Sequence, residues 1–142
     1  MLQVQAKRQY RDLENYENEL SVKLKSIPHG TDQMFYSEGK LDLNGFLVKN
    51  PSETFLIRVT GDSMLDAGIS SGDILVVDRS LEPKSGNIIV ASINNELLVK
   101  RIRFGQEEII LIPENNKYKP LKISIEDRFE IWGVVTSVIK NI

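Results

Sequence analysis

The chain has 142 residues, of which 41% are hydrophobic and 27% charged, a balance that suits one soluble domain with a real core and room for a short appended arm. It has no cysteine and a single histidine, which removes disulfides and thiolate chemistry and leaves a Ser-His-Asp triad or a histidine metal centre hard to build. The net charge of −2 offers nucleic acid no global positive field, no apolar run reaches the ~18 residues of a membrane span, and no signal-peptide core opens the chain, so a cytoplasmic location is expected.

The first segment reads as an arm. Between Lys7 and Lys25 there is no glycine or proline, and Leu13, Tyr16, Leu20, Leu24 and Ile27 recur at helical spacing to give one apolar stripe on an otherwise charged surface. Ile27-Pro28-His29-Gly30 ends that helix, whose stripe suits packing on its own domain or on a partner. One helix falls short of a helix-turn-helix unit, so direct sequence-specific DNA binding is not expected. Thr31 to Pro51 is a connector, in which Leu41 to Val48 fits either a short helical turn or a strand.

After Pro51 the pattern turns to strands. Phe55, Ile57 and Val59 alternate with Leu56 and Arg58, and Ile74 to Val77 is a short apolar strand closed by Asp78. Asn87 to Ile93 and Glu96 to Arg103 flank Asn94-Asn95, a two-residue hairpin signal. A strand from Glu108 to Ile112, a loop from Pro113 to Pro120, and a closing strand from Phe129 to Ile139 with Gly133 as a candidate bulge complete the chain. Short strands without a βαβ rhythm predict a mostly β fold: a single curved, partly rolled antiparallel domain with an N-terminal helical or flexible arm. The division is residues 1–39 for arm and linker and 40–142 for the β-domain.

Two residues suggest chemistry. Ser63 sits on the Gly61-Asp62-Ser63-Met64 turn after the first long strand, and Lys100 follows Leu97-Leu98-Val99, 37 residues later, with enough turns between them for the two to meet. Apolar neighbours disfavour the ammonium form, and a neutral amine would accept the serine proton during attack on a carbonyl and return it to the leaving nitrogen. The backbone N–H groups of Ser63 and Met64 are the natural oxyanion donors. On residue chemistry alone, a turn-forming serine and a lysine snorkelling from a strand edge are the plainer readings. Asp62 and Asp66 read as turn carboxylates rather than metal ligands, and no metal or other cofactor is expected. Arg101 and Arg103 read as a solvated strand face before a phosphate contact.

The ordered series Gly61-Asp62-Ser63-Met64, Gly68-Ile69-x-x-Gly72-Asp73, Val77-Asp78, Gly86 and Val99-Lys100 resembles the LexA/UmuD family of self-cleaving serine–lysine peptidases. Leu41-Asp42-Leu43-Asn44, Asn50-Pro51-Ser52 and Leu111-Ile112-Pro113-x-Asn115-x-x-Tyr118-x-Pro120 resemble its UmuD-like branch, so the likeness spans roughly residues 40 to 140. The resemblance implies Ser63 as nucleophile, Lys100 as general base, a homodimer, and a scissile bond in the chain's own arm. His29-Gly30, about 33 residues before Ser63, is the best-placed bond; its histidine departs from the family's usual alanine or cysteine, and Glu38-Gly39 stays open as the other target. The family implies cleavage stimulated by a RecA–single-stranded DNA filament and regulation of an error-prone, UmuC-like translesion polymerase in the SOS response. The alternatives are a non-cleaving regulatory subunit of the same fold and a signal-peptidase-like enzyme, the latter disfavoured by the lack of an anchor.

Overall fold

The computed structural model describes residues 2–4 and 42–142. The helical stripe of the arm, the 1–39/40–142 division and the His29-Gly30 bond fall on or depend on residues outside that range.

One antiparallel sheet organises the molecule. Its strands are β1 (Leu2–Val4), β2 (Thr54–Val59), β3 (Ile74–Asp78), β4 (Ile88–Ile93), β5 (Glu96–Gly105), β6 (Glu108–Ile112), β7 (Leu121–Lys122) and β8 (Phe129–Ile139). They lie in the order β1-β2-β3-β8-β4-β5-β6-β7, and every ladder is antiparallel. The long β8 sits centrally and joins two meanders, so the expected mostly β, antiparallel domain is what the chain forms. The open segment before Pro51 resolves as a five-residue helix, α1 (Leu43–Leu47). β1 was not anticipated, because three residues inside the arm carry no period of their own.

Local chemistry explains the turns. Asn94 and Asn95 both have positive φ, 50° and 71°, the left-handed pair that a two-residue hairpin between right-twisted strands requires. β8 carries two bulges, since its pairing skips Trp132 opposite Val90 and Ala91, and Thr136 opposite Val76 and Val77. The bulge expected at Gly133 therefore lies at this point of β8, beside Trp132. The bare Cα of Gly133 is required there, because a Cβ would meet Val77 Cγ1 at 2.7 Å and the Asp78 carbonyl oxygen at 2.9 Å.

Each sheet face buries its own cluster. Phe55, Ile57, Val59, Met64, Ile69, Leu75, Val77, Val90 and Val99 form one, while Ile89, Ala91, Ile102, Leu111 and Val134 form the other. Adjacent residues of β4 serve opposite clusters, as the strand's two-residue period demands. The chain enters this core through Asn50, whose Nδ2 donates to Asp78 Oδ2 and Ser80 Oγ, both at 3.0 Å. Burial pushes the Asp78 carboxyl up, but bonds from Ser80 and Asn50 outweigh that and hold it below the usual carboxylate range.

Candidate active site

β2 delivers the chain to the site and a buried methionine fixes it there. After Val59 the backbone turns at Gly61, whose φ of +99° suits glycine, and Met64 plugs into the cluster with Ile57, Val59 and Ile69. The Met64 carbonyl accepts from Ala67 N–H at 3.1 Å and Ile69 N–H at 3.2 Å, closing the turn around the methionine. Ser63 is left at the rim of a cleft lined by Val59, Gly61 and Met64 on one side and Leu98 and Lys100 on the other.

β5 supplies the second group. Its pairing with β4, Ile89 opposite Lys100 and Val90 opposite Val99, sets the lysine on the strand facing the turn. Lys100 Nζ donates to Ser63 Oγ at 2.8 Å and to the Val99 carbonyl at 3.1 Å. Among the described residues no carboxylate forms an ion pair with Lys100. Burial pushes the amine below its ordinary lysine value. The two sequence-selected residues are thus brought together, in the geometry that proton transfer between a hydroxyl and an amine requires.

The N–H groups of Ser63 and Met64 make no backbone hydrogen bond among the described residues, which leaves both available to an oxyanion at the turn. No group of three or more potential metal ligands occurs among the described residues. Arg101 is engaged elsewhere: its Nε pairs with Glu114 and its Nη1 donates to the Gly86 carbonyl, so it is not a free phosphate contact.

Sequence chemistry alone missed the loop that holds the serine turn. Glu114 N–H donates to the Ser63 carbonyl at 2.9 Å, and Asp66 N–H returns a bond to the Glu114 carbonyl at 2.7 Å. Asn115 Nδ2 donates to the Asp62 carbonyl at 2.8 Å, and Tyr118 Oη donates to the Asp62 carboxylate, which raises the tyrosine's pKa. The Arg101–Glu114 pair ties this clamp to the residue next to Lys100, so one network sets the position of both strands' contributions. The only sequence signal was the Pro113-x-Asn115-x-x-Tyr118 pattern, visible through the family resemblance rather than through periodicity.

Asn115 is buried, and its loss strands the Asp62 carbonyl. Asn115→Ala is expected to cost ~1–3 kcal/mol of stability and to lower any self-cleavage by roughly 10-fold to 100-fold through displacement of the turn. Urea unfolding and fragment formation measured on the same preparation check both effects; unchanged cleavage would show that the clamp is not needed to seat Ser63.

Comparisons with known proteins place the chain in a family. The Peptidase S24-like family model matches residues 21–136. Protein SamA of Salmonella typhimurium (strain LT2) is 39% identical over 104 residues, covering 73% of this chain and 71% of that protein. Protein MucA of Escherichia coli is 43% identical over 102 residues, 71% of this chain and 69% of that one. Protein ImpA of Shigella flexneri is 41% identical over 108 residues, covering 73% and 70%. With a family match over most of its length and relatives of this similarity, the chain belongs to the Peptidase S24-like family, in the UmuD-like branch of the self-cleaving LexA/UmuD peptidases.

Proposed function

We propose that the protein is a UmuD-like SOS mutagenesis protein that cuts its own N-terminal arm with a Ser63–Lys100 dyad. The observation that carries this reading is the 2.8 Å contact between Lys100 Nζ and Ser63 Oγ in a cleft that depresses the amine's pKa. Neutral Lys100 removes the hydroxyl proton as Ser63 Oγ attacks the scissile carbonyl carbon, and the Ser63 and Met64 N–H groups receive the oxyanion. The lysine ammonium then protonates the leaving nitrogen, the C–N bond breaks, and an acyl-serine ester remains. Lys100 next deprotonates a water that hydrolyses the ester, which frees the new carboxylate and restores the serine.

The scissile bond is His29-Gly30, in an arm of residues 1–39 attached to the peptidase domain of residues 40–142. The family supports the remainder of the reading: a cytoplasmic homodimer, cleavage stimulated by a RecA–single-stranded DNA filament, and regulation of an error-prone translesion polymerase before and after trimming. Histidine in place of a small residue before the glycine favours a second reading, a regulatory subunit that keeps the fold and has lost cleavage.

Intact-mass analysis separates the two. Purified protein incubated at pH 7 and pH 10, with and without an activated RecA filament, is expected to yield a species beginning at Gly30. An unchanged mass under all four conditions removes self-cleavage and leaves the regulatory subunit; a new terminus at Gly39 relocates the bond.

A further inference from the structure

The Ser63–Lys100 cleft is bounded by two strand edges, and their backbone polarity gives the slot between them a ligand class. In β2, Val59 donates its N–H to the Asp73 carbonyl and accepts from Gly72 N–H, both at 2.8 Å, so its polar groups point toward β3. Strand alternation turns those of Arg58 the other way, toward the outer edge. In β5, Ile102 makes the equivalent bonds toward the β4 side, at 2.8 and 2.9 Å with Gly86 and Asn87. The same alternation points the N–H and C=O of Leu97 and Val99 away from β4, where the Val99 carbonyl already accepts from Lys100 Nζ. β6 covers that side of β5 only from Arg101 to Gly105, so Leu97 and Val99 have no strand ladder there among the described residues. Two edges that face a shared slot with outward amide groups form a receptor for an extended peptide.

That slot already has an occupant. β1 pairs antiparallel with β2 in the register Leu2 to Val59, Gln3 to Arg58 and Val4 to Ile57, and it also approaches β5. By the alternation above, Gln3 and Arg58 are the hydrogen-bonded pair of that ladder. Leu2 stands opposite Val59, a residue that lines the cleft holding Ser63 and Lys100. We propose that the slot between β2 and β5 is the peptide-binding groove of this site and that the chain's own Leu2–Val4 strand fills it as a removable plug.

The inference rests on the Ser63–Lys100 reading and adds its regulation. A scissile carbonyl must come within about 3.5 Å of the serine oxygen before attack. A segment reaching Ser63 in extended form needs the β2 edge that β1 holds, so the two compete, and cleavage waits for β1 to leave. Three residues paired on one edge form a short ladder that is easily displaced.

The full chain tests this through two changes, deletion of residues 2–5 and Gln3→Pro, which removes the N–H that pairs with Arg58. Each is expected to raise self-cleavage without filament by about 10-fold, the effect of restoring a competent state populated at a tenth. A fluorescein-labelled peptide of residues 1–6 should slow the deletion variant again. Equal rates for wild type and both variants, with Ser63→Ala inert, overturn the plug and leave the dyad standing. Absence of cleavage in every variant overturns the dyad instead, and the groove is then decided by anisotropy of the labelled peptide. Binding at least about 10-fold tighter to the deletion variant than to the full chain supports it; equal or absent binding overturns it.

Discussion

Ser63→Ala and Lys100→Ala are each expected to lower self-cleavage by about 10⁴-fold or more, because in the proposed dyad nucleophile and base act as one unit and loss of either removes the chemical step. Lys100→Arg is expected to be equally inert, since a guanidinium stays protonated at every accessible pH. In the unaltered chain the rate should rise with pH and level off at the Lys100 pKa, which burial places below the ordinary lysine value of about 10.4. The sign for stability is the companion of that profile. An amine whose folded pKa is depressed binds fewer protons folded than unfolded between the two pKa values, so stability rises with pH through that window. Below it the penalty of a buried ammonium is constant, and Lys100→Met is expected to raise the urea midpoint at pH 7. A pH-independent rate, or a Lys100→Arg variant that still cuts, would sink the general-base role.

Ile57→Ala is expected to be the most damaging apolar truncation near the site. The side chain is fully buried in the cluster that also holds Val59, Met64 and Leu75, so its removal combines lost transfer energy with a cavity beneath the serine turn. A loss of ~2–5 kcal/mol follows, a large part of the roughly 5–15 kcal/mol that domains possess. Urea denaturation with an unchanged m-value measures it. Loss of less than about 1 kcal/mol would mean that the cluster collapses into the space, a tolerance seen at the most forgiving core positions. Because Met64 anchors the turn from the same cluster, cleavage should fall even under conditions where the variant remains folded.

The sequence carried the strands whose side chains alternate or whose turns demand special backbone. Phe55, Ile57 and Val59 marked β2 by period two, and Asn94-Asn95 marked the β4–β5 hairpin because few residues tolerate two successive positive φ values. β7 was illegible: Leu121 and Lys122 are both exposed, and two residues define no period. β1 was illegible for a similar reason, as its identity comes from β2's open edge rather than from its own residues. At the site, the serine and lysine were visible as a turn hydroxyl and an amine after an apolar run, but their meeting depended on strand order. The clamp was hidden more deeply. Asn115 and Tyr118 look like ordinary loop residues, and the groups they bond lie 53 and 56 positions earlier in the chain. Contacts that distant leave no local mark.

The bonds from Asn50 to Asp78 and Ser80 pin the chain to the sheet at one point just ahead of β2. From Gly30 to Asn50 is 20 residues, and that length of backbone, whatever path it takes, reaches at most roughly 70 Å. A domain of about 100 residues has a radius of gyration near 13 Å, so that upper limit exceeds the width of the domain itself. With the cut proposed at His29-Gly30, that limit would allow the bond to reach the serine of a second copy in a homodimer as well as the chain's own. Which of the two would receive the bond is then a question of local concentration, which for a flexible linker falls roughly as the −3/2 power of its length. Shortening or lengthening the segment between Gly30 and Asn50 would act as a dial on the timing of the cut without touching a single group that performs it.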